Sequence, residues 1–341
     1  MISQPLSAIP ALRVPRLGFL GVGWIGRHRL QAVLASGVAK PSVVCDPSLE
    51  MITATQDLAP GIEVVASFEE LLDTAPDGVL IATPSALHAE QSVAALSAGV
   101  AVFCQKPLGR YAREVSAVIE AARKSDRLLG VDLSYRHTRP MQIIRERIRD
   151  NAIGAVFAAD LVFHNAYGPD KPWFYDVIQS GGGCVMDLGV HLVDLLLWVL
   201  DFPAVTSVSA DLFAGGRKLG DRPAEVEDYA VATIGLRTGA VARLACSWRL
   251  HAGCDAVISA TFHGTEGSLE FRNVAGSFYN FEAMLHRGTR TEIIASPPDD
   301  WGGRAAIAWA DRLAAGMGFD PEAENLLPVS QVLDLIYRNT I

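Results

Sequence analysis

Six short apolar runs, alternating with stretches of helical spacing through the first 136 residues, constrain this chain more than any other feature. The runs are RLGFLGVG, PSVVCD, IEVVAS, GVLIATP, AVFCQKP and LLGVDLSY. Between them, WIGRHRLQAVLAS and SALHAEQSVAALSAG place apolar residues at amphipathic helical intervals. Strands separated by helices pair in parallel through right-handed crossovers. The runs lack polar alternation, as strands do when helices cover both faces. Residues 13–136 are therefore expected to form a doubly wound parallel α/β sheet, a Rossmann-type domain.

The pattern changes after Arg136. A helix is expected from Pro140 to Asp150, then a strand AVFAADLVFH, then a helix over GCVMDLGVHLVDLLLWVL. Three strand pairs follow, VEDYAVATIGLRTGAVARLACSWRL, DAVISATFHGTEGSLEF and SFYNFEAMLHRGTRTEIIA, the first two turning at Arg237–Gly239 and Gly264–Gly267. Hairpins in place of crossovers imply an α+β second domain over 137–341. Its sheet should be largely antiparallel, open on one face and covered by helices on the other. AAIAWADRLAAGM and VLDLIYRN are further expected helices.

The net charge of -9, with no long basic run, argues against nucleic acid or an anionic membrane as partner. Cys45, Cys104, Cys184, Cys246 and Cys254 form no C-x-x-C pair and are odd in number, which favours reduced thiols over disulfides or a thiolate metal site. The N-terminal stretch MISQPLSAIPALRVPRLGFL has no basic segment leading into an apolar one, and no run reaches the roughly 18 uninterrupted apolar residues of a membrane span. The expectation is a cytoplasmic chain with no membrane segment.

Gly21-Val22-Gly23-Trp24-Ile25-Gly26 follows the first run and opens a helix, the context a dinucleotide loop requires. Gly21 would permit the tight turn, Gly23 the approach of a pyrophosphate, and Gly26 close packing of helix on strand. Asp46, 20 residues beyond Gly26, is placed to accept hydrogen bonds from the adenosine ribose. It would repel a 2′-phosphate, and no Arg or Lys follows in DPSLEM, so NAD is favoured over NADP. Thr83-Pro84 ends the fourth run and should face the cofactor. His88, in the next helix, either joins them or lies on the helix surface.

Lys106 closes the fifth run within Gln105-Lys106-Pro107. It emerges at the same edge, either to polarise a substrate oxygen or to reach solvent. The second signal is the apolar helix after Gly181-Gly182-Gly183. Asp187, His191 and Asp194 fall within about 60° of one another around it. Such buried polar groups need partners or a use.

GVGWIG, ATPSALH, QKP, GGGCVMDLGVH and FHGTEGSLEF, in this order across nearly the whole chain, resemble the glucose–fructose oxidoreductase / inositol dehydrogenase / MocA (Gfo/Idh/MocA) family. The resemblance implies hydride transfer between NAD and a secondary alcohol of a polyol, cyclitol, sugar or sugar derivative. The lysine of the family's E-K-P motif maps to Lys106, and its D-x-x-x-H pair to Asp187 and His191. Gln105 stands where the motif usually has Glu. His191 would be the general base, since an imidazole titrates near working pH. Asp187 would support the imidazole or bind a substrate hydroxyl, Lys106 would stabilise alkoxide character, and Asp194 would back His191 from three residues on.

Substrate contacts are expected from Arg136, beside Tyr135 and His137 at the end of the last parallel run, and from Asn165 and Tyr167, with His164, after AVFAADLVF. Trp173 is expected either to wall the nicotinamide pocket or to pack. No metal site is expected. The resemblance also implies a homodimer or homotetramer assembled through the second sheet. Two other functions stay open: glycoside hydrolysis through transient oxidation by bound NAD, and a non-catalytic NAD sensor.

Overall fold

A computed structural model describes residues 14–220 and 224–338. Residues 1–13, which include Arg13 at the start of the first expected domain, and residues 221–223 and 339–341 of the second lie outside the described residues.

The first sheet has six parallel strands. They are β1 (Arg16–Leu20), β2 (Lys40–Cys45), β3 (Glu63–Val64), β4 (Gly78–Ile81), β5 (Ala101–Cys104) and β6 (Leu129–Val131). Their order is β3-β2-β1-β4-β5-β6. Helices α1 (Trp24–Ser36), α2 (Leu49–Leu58), α3 (Phe68–Asp73), α4 (Ser85–Ser97) and α5 (Ala112–Ser125) connect them. β4 and β5 are buried at every residue, which is why their runs carry no polar alternation. The third run yields only two strand residues, both exposed, because β3 is an edge paired with β2 alone. Strand order reverses between β1 and β4, and the crevice at that switch point is where open α/β sheets bind ligands.

α6 (Arg139–Arg149) leads to the second sheet, whose first strand is β7 (Val156–Asn165). A short α7 (Val177–Ser180) and the long apolar helix follow. That helix is π-helical over Val185–Gly189 and α-helical in α8 (Val190–Val199). Then come β8 (Val205–Ala214), β9 (Arg217–Lys218), β10 (Tyr229–Leu236), β11 (Val241–Ser247), β12 (Ala256–Gly264), β13 (Gly267–Asn273), β14 (Phe281–Arg287) and β15 (Arg290–Ala295). The nine strands are ordered β15-β14-β13-β12-β7-β11-β10-β8-β9, all antiparallel except the β7/β11 pair. The expected hairpins are β10/β11, β12/β13 and β14/β15. β8 and β9 are strands that the sequence reading did not resolve.

One sheet face is buried under α8 through Leu161, Phe163, Ile234, Leu244, Ile258 and Phe262. The other is open and carries Phe157, Val241 and the Arg243–Asp160 pair (2.7 Å). Every residue of α8 is buried. The stretch Val177–Val199 is long and apolar enough to cross a bilayer, but 94% of its most apolar window is buried inside the protein, as in a core helix.

The last two helices tie the sheets together. α9 (Arg304–Ala314) returns to the first sheet and sets Trp309 against Phe103 at 5.7 Å. Gly78 and Gly130 make room there, since a Cβ at either would meet the Trp309 ring at 2.6 and 2.7 Å. α10 (Leu326–Arg338) packs on α5 and α8.

Candidate active site

The glycine loop has the shape a pyrophosphate needs. Gly21 has φ of +84°, and a Cβ there would lie 2.6 Å from the Ala82 carbonyl oxygen. A Cβ on Gly26 would lie 2.1 Å from the Gly21 carbonyl oxygen, so the helix can approach the loop this closely only with glycine at 26. Gly23 faces open space, with nothing within 4 Å of an added Cβ. α1 starts there with no capping side chain and no acid in its first turn, so its leading N–H groups suit an anion.

Asp46 ties this loop to β2. Its Oδ2 accepts from Val22 N–H (2.7 Å) and its Oδ1 from Ser48 N–H (2.8 Å). Each oxygen keeps a second lone pair. His88 is not on the helix surface: it is buried and bridges the Thr83 carbonyl (Nε2, 2.7 Å) and the Pro107 carbonyl (Nδ1, 2.7 Å). Burial lowers its pKa and outweighs the two carbonyls, which favour the proton. His88 thus joins the turns after β4 and β5, including the cis Lys106–Pro107 bond.

Lys106 does not run out to solvent. Its Nζ donates to Asp187 Oδ1 (2.6 Å) and to the Asp187 carbonyl (2.8 Å). Asp187 lies in the π-helical turn, a distortion that recurs at functional sites. Its Oδ2 accepts from Trp248 Nε1 (3.1 Å). Asp187 is thus bonded to Lys106 and Trp248, not to the His191 imidazole. His191 is buried, with Tyr135 edge-on at 4.8 Å. Burial holds its pKa well below the usual imidazole range, and the Lys106 and Arg29 charges push it the same way.

Asp194 does not back His191. It takes a bidentate pair from Arg136, with Nε to Oδ2 at 2.8 Å and a second bond from Nη2 to Oδ1. Arg136 lies over the Trp198 and Phe202 rings at 5.8 and 5.5 Å. Arg136 is therefore a partner of a buried carboxylate, which would otherwise be uncompensated, and not a substrate contact. His164 also points away. Side chains alternate along β7, so Phe163 and Asn165 line the cleft while His164 faces Ser247 Oγ (2.8 Å) on the other side.

A cavity of about 670 Å³ lies between the two sheets. Gly23, Trp24, Ile25, Thr83, Pro84 and His88 line its first-sheet side, and Lys106, Asp187 and His191 its floor. Asn165, Tyr167 and Trp173 line the outer wall, where the Trp173 and Phe174 rings stack at 3.8 Å. The Asn165 side-chain oxygen is buried without a hydrogen-bond partner. Gly21, Gly26 and Asp46 sit behind the loop.

Several contributors escaped the sequence reading. Trp248 stands 61 residues from the carboxylate it holds. Arg29 and Asp132 form a buried pair in the cavity wall (2.6 Å), and Gln105 donates to the same Asp132 oxygen (2.6 Å). Glu227 is buried beneath the glycine triplet, accepting from Gly183 N–H (3.0 Å), Val185 N–H (2.8 Å) and Tyr337 O–H (2.9 Å). Among the described residues, no group of three or more His, Cys, Asp or Glu could hold a metal ion.

Comparison with known proteins agrees with this architecture. Residues 15–133 match the family model described as oxidoreductase family, NAD-binding Rossmann fold, and residues 141–270 match the GFO/IDH/MocA C-terminal domain. A 1,5-anhydro-D-fructose reductase from Ensifer adhaerens is 33% identical over 216 residues, which are 62% of this chain and 61% of the reductase. The chain spans about six tenths of the length of the first curated relatives it matches. A levoglucosan dehydrogenase in complex with NADH superposes with a TM-score of 0.81 over 96% of this chain and 97% of its own, at 21% identity. A 3-ketoreductase from Actinomadura kijaniata in complex with NADP gives 0.80 over 95% and 97%, also at 21% identity. At that identity the two likenesses are of fold. With both of its domain models matched in order, the chain belongs to the Gfo/Idh/MocA oxidoreductase family.

Proposed function

We propose that this protein is an NAD-dependent oxidoreductase that moves a hydride between the nicotinamide and a secondary alcohol of a sugar, polyol, cyclitol or sugar derivative. One observation carries the reading: Lys106, Asp187 and His191 meet on the floor of a cavity whose opposite wall is the dinucleotide loop. The residues fit the cofactor, since Gly23 leaves open the space a pyrophosphate fills. When bound, the nicotinamide accepts or returns the hydride.

The chain's own groups handle the proton and the oxygen. His191, kept neutral by burial, takes the hydroxyl proton on a ring nitrogen. Lys106 spends two of its three donors on Asp187, and the third is available to the substrate oxygen. Asp187 and Trp248 hold the ammonium in place. The Asn165 oxygen, buried and unpartnered, accepts from a neighbouring substrate hydroxyl, and the Trp173–Phe174 stack covers the apolar face of the ring. Asp46 with no base in Pro47–Met51 supports NAD over NADP. A panel of sugars, inositols and sugar acids assayed for NADH formation tests the reading. Turnover with at least one such alcohol and NAD is expected; firm NAD binding with no turnover across the panel would favour the sensor.

The low His191 pKa sets the pH response. Neutral imidazole persists below the ordinary pKa of about 6.5, so alcohol oxidation should stay flat from neutral pH to below that value. An acid limb at or above it in the pH dependence of kcat/KM would contradict the assignment. The histidine contribution to stability, unlike activity, changes on acidification. His88, His137, His164 and His191 are all depressed by burial, so the unfolded chain takes up protons first and their contribution to stability falls as pH drops below about 6.5, while the buried Asp194 and Glu227 carboxyls, raised by burial, act in the opposite sense at lower pH.

We further propose that the open sheet face joins copies of the chain. Its strands present Phe157, Val231 and Val241 between charged groups, and a concavity there is lined by Asp160, Lys218 and Arg243. Light scattering should give a dimer or tetramer, and Val241→Asp should dissociate it; a monomeric wild type contradicts the proposal.

A further inference from the structure

The E-K-P glutamate is absent at position 105, and a carboxylate stands one strand away. Asp132 follows β6 beside β5, its N–H donating to the Cys104 carbonyl (2.9 Å). Its Oδ2 takes both Arg29 Nε and Gln105 Nε2 at 2.6 Å. The Asp132 and Arg29 side chains are 1% and 7% exposed. The other oxygen, Oδ1, is buried and has no hydrogen-bond partner. Asp132 lines the cavity next to Gln105 and Lys106. A buried acceptor left without a donor is costly, and the cavity is where a ligand can bring one. Arg29 and Asp132 line the same cavity as Lys106, Asp187 and His191.

We propose that Asp132 is a cofactor-positioning residue whose Oδ1 accepts a hydrogen bond from the carboxamide N–H2 of the nicotinamide. The proposal rests on the dinucleotide reading above. Arg29 and Gln105 fix the carboxylate so that Oδ1 alone remains for the ligand. Gln105 is what allows this. A glutamate there would set a second carboxylate at hydrogen-bond distance from Oδ2 and force one of the two to hold a proton. In this chain a carboxylate stands at the end of β6, and the neutral amide at 105 buttresses it. A substrate hydroxyl is the other donor that could reach Oδ1, and affinity measurements separate the two.

The test compares binding of NADH and of its reduced 3-acetylpyridine analogue, which carries a methyl ketone in place of the carboxamide. Both are titrated against the full chain by fluorescence. Wild type should bind NADH about tenfold or more tightly, the range of one hydrogen bond to a charged group. In Asp132→Asn, the amide oxygen still accepts from Arg29 and Gln105 while Nδ2 replaces Oδ1. The preference for NADH should then fall to about one. Equal affinity of wild type for the two dinucleotides overturns the proposal without any variant. An unchanged preference in Asp132→Asn also overturns it, and a rise only in the KM for the alcohol would assign Oδ1 to a substrate hydroxyl instead. Binding of neither dinucleotide would remove the cofactor reading itself.

Discussion

Lys106→Met is expected to slow hydride transfer by roughly a thousandfold while leaving dinucleotide affinity within about twofold. Methionine keeps the length and apolar stem of lysine but has no N–H. The substrate oxygen then loses its charged donor just as negative charge builds on it. Asp187 keeps only Trp248 Nε1. The two side chains are only 21% and 16% exposed, so the Asp187 carboxylate left behind should cost some stability, which denaturant unfolding reads separately from kcat. The fold and the glycine loop should survive, and the effect should concentrate in kcat. Steady-state kinetics beside NADH titration make the distinction. Near-normal kcat in Lys106→Met would remove the lysine from the chemistry.

The second large effect lies behind the site. Glu227→Leu should destabilise the protein by about 3–5 kcal/mol, the range for breaking a buried polar network. Leucine fills much of the volume but leaves the Gly183 and Val185 N–H groups and the Tyr337 hydroxyl without their acceptor. These N–H groups open the helix that carries Asp187 and His191. Activity should therefore fall with stability, and Glu227→Gln, which retains an acceptor oxygen, should be milder in both. Denaturant unfolding monitored by tryptophan fluorescence gives the free-energy change. A loss below about 1 kcal/mol in Glu227→Leu would mean that the carboxylate does not hold the helix start.

How much of this was legible in the sequence depended on the range of the interaction. The parallel sheet was readable because strands buried on both faces carry unbroken apolar runs, and its shortest member was overread because β3 is an exposed edge. The hairpins were readable from their turns. β8 was not, because its burial alternates only in its second half. At the site, the 3.6-residue period brought Asp187 and His191 onto one helical face, but periodicity says nothing about what lies opposite. Asp194 shared that face and met Arg136, 58 residues away in the chain. Asp132 read as one polar residue in an apolar run, with no local sign of Arg29, 103 residues earlier. The glycine triplet was visible, but its reason was not. A Cβ on Gly183 would lie 1.9 Å from the Glu227 carbonyl oxygen, and one on Gly182 at 1.9 Å from the Tyr337 hydroxyl. The π-helical turn left no mark in the residue pattern.

The route of the hydride itself tests the central claim most directly. An alcohol found active in the substrate panel is deuterated at its carbinol carbon and turned over with unlabelled NAD, and the NADH formed is examined by mass spectrometry. The account predicts that the deuterium appears on the nicotinamide ring in wild type and that Lys106→Met forms labelled NADH only at a small fraction of that rate. NADH formed without the label, or a glycoside cleaved while no labelled NADH accumulates, would contradict it.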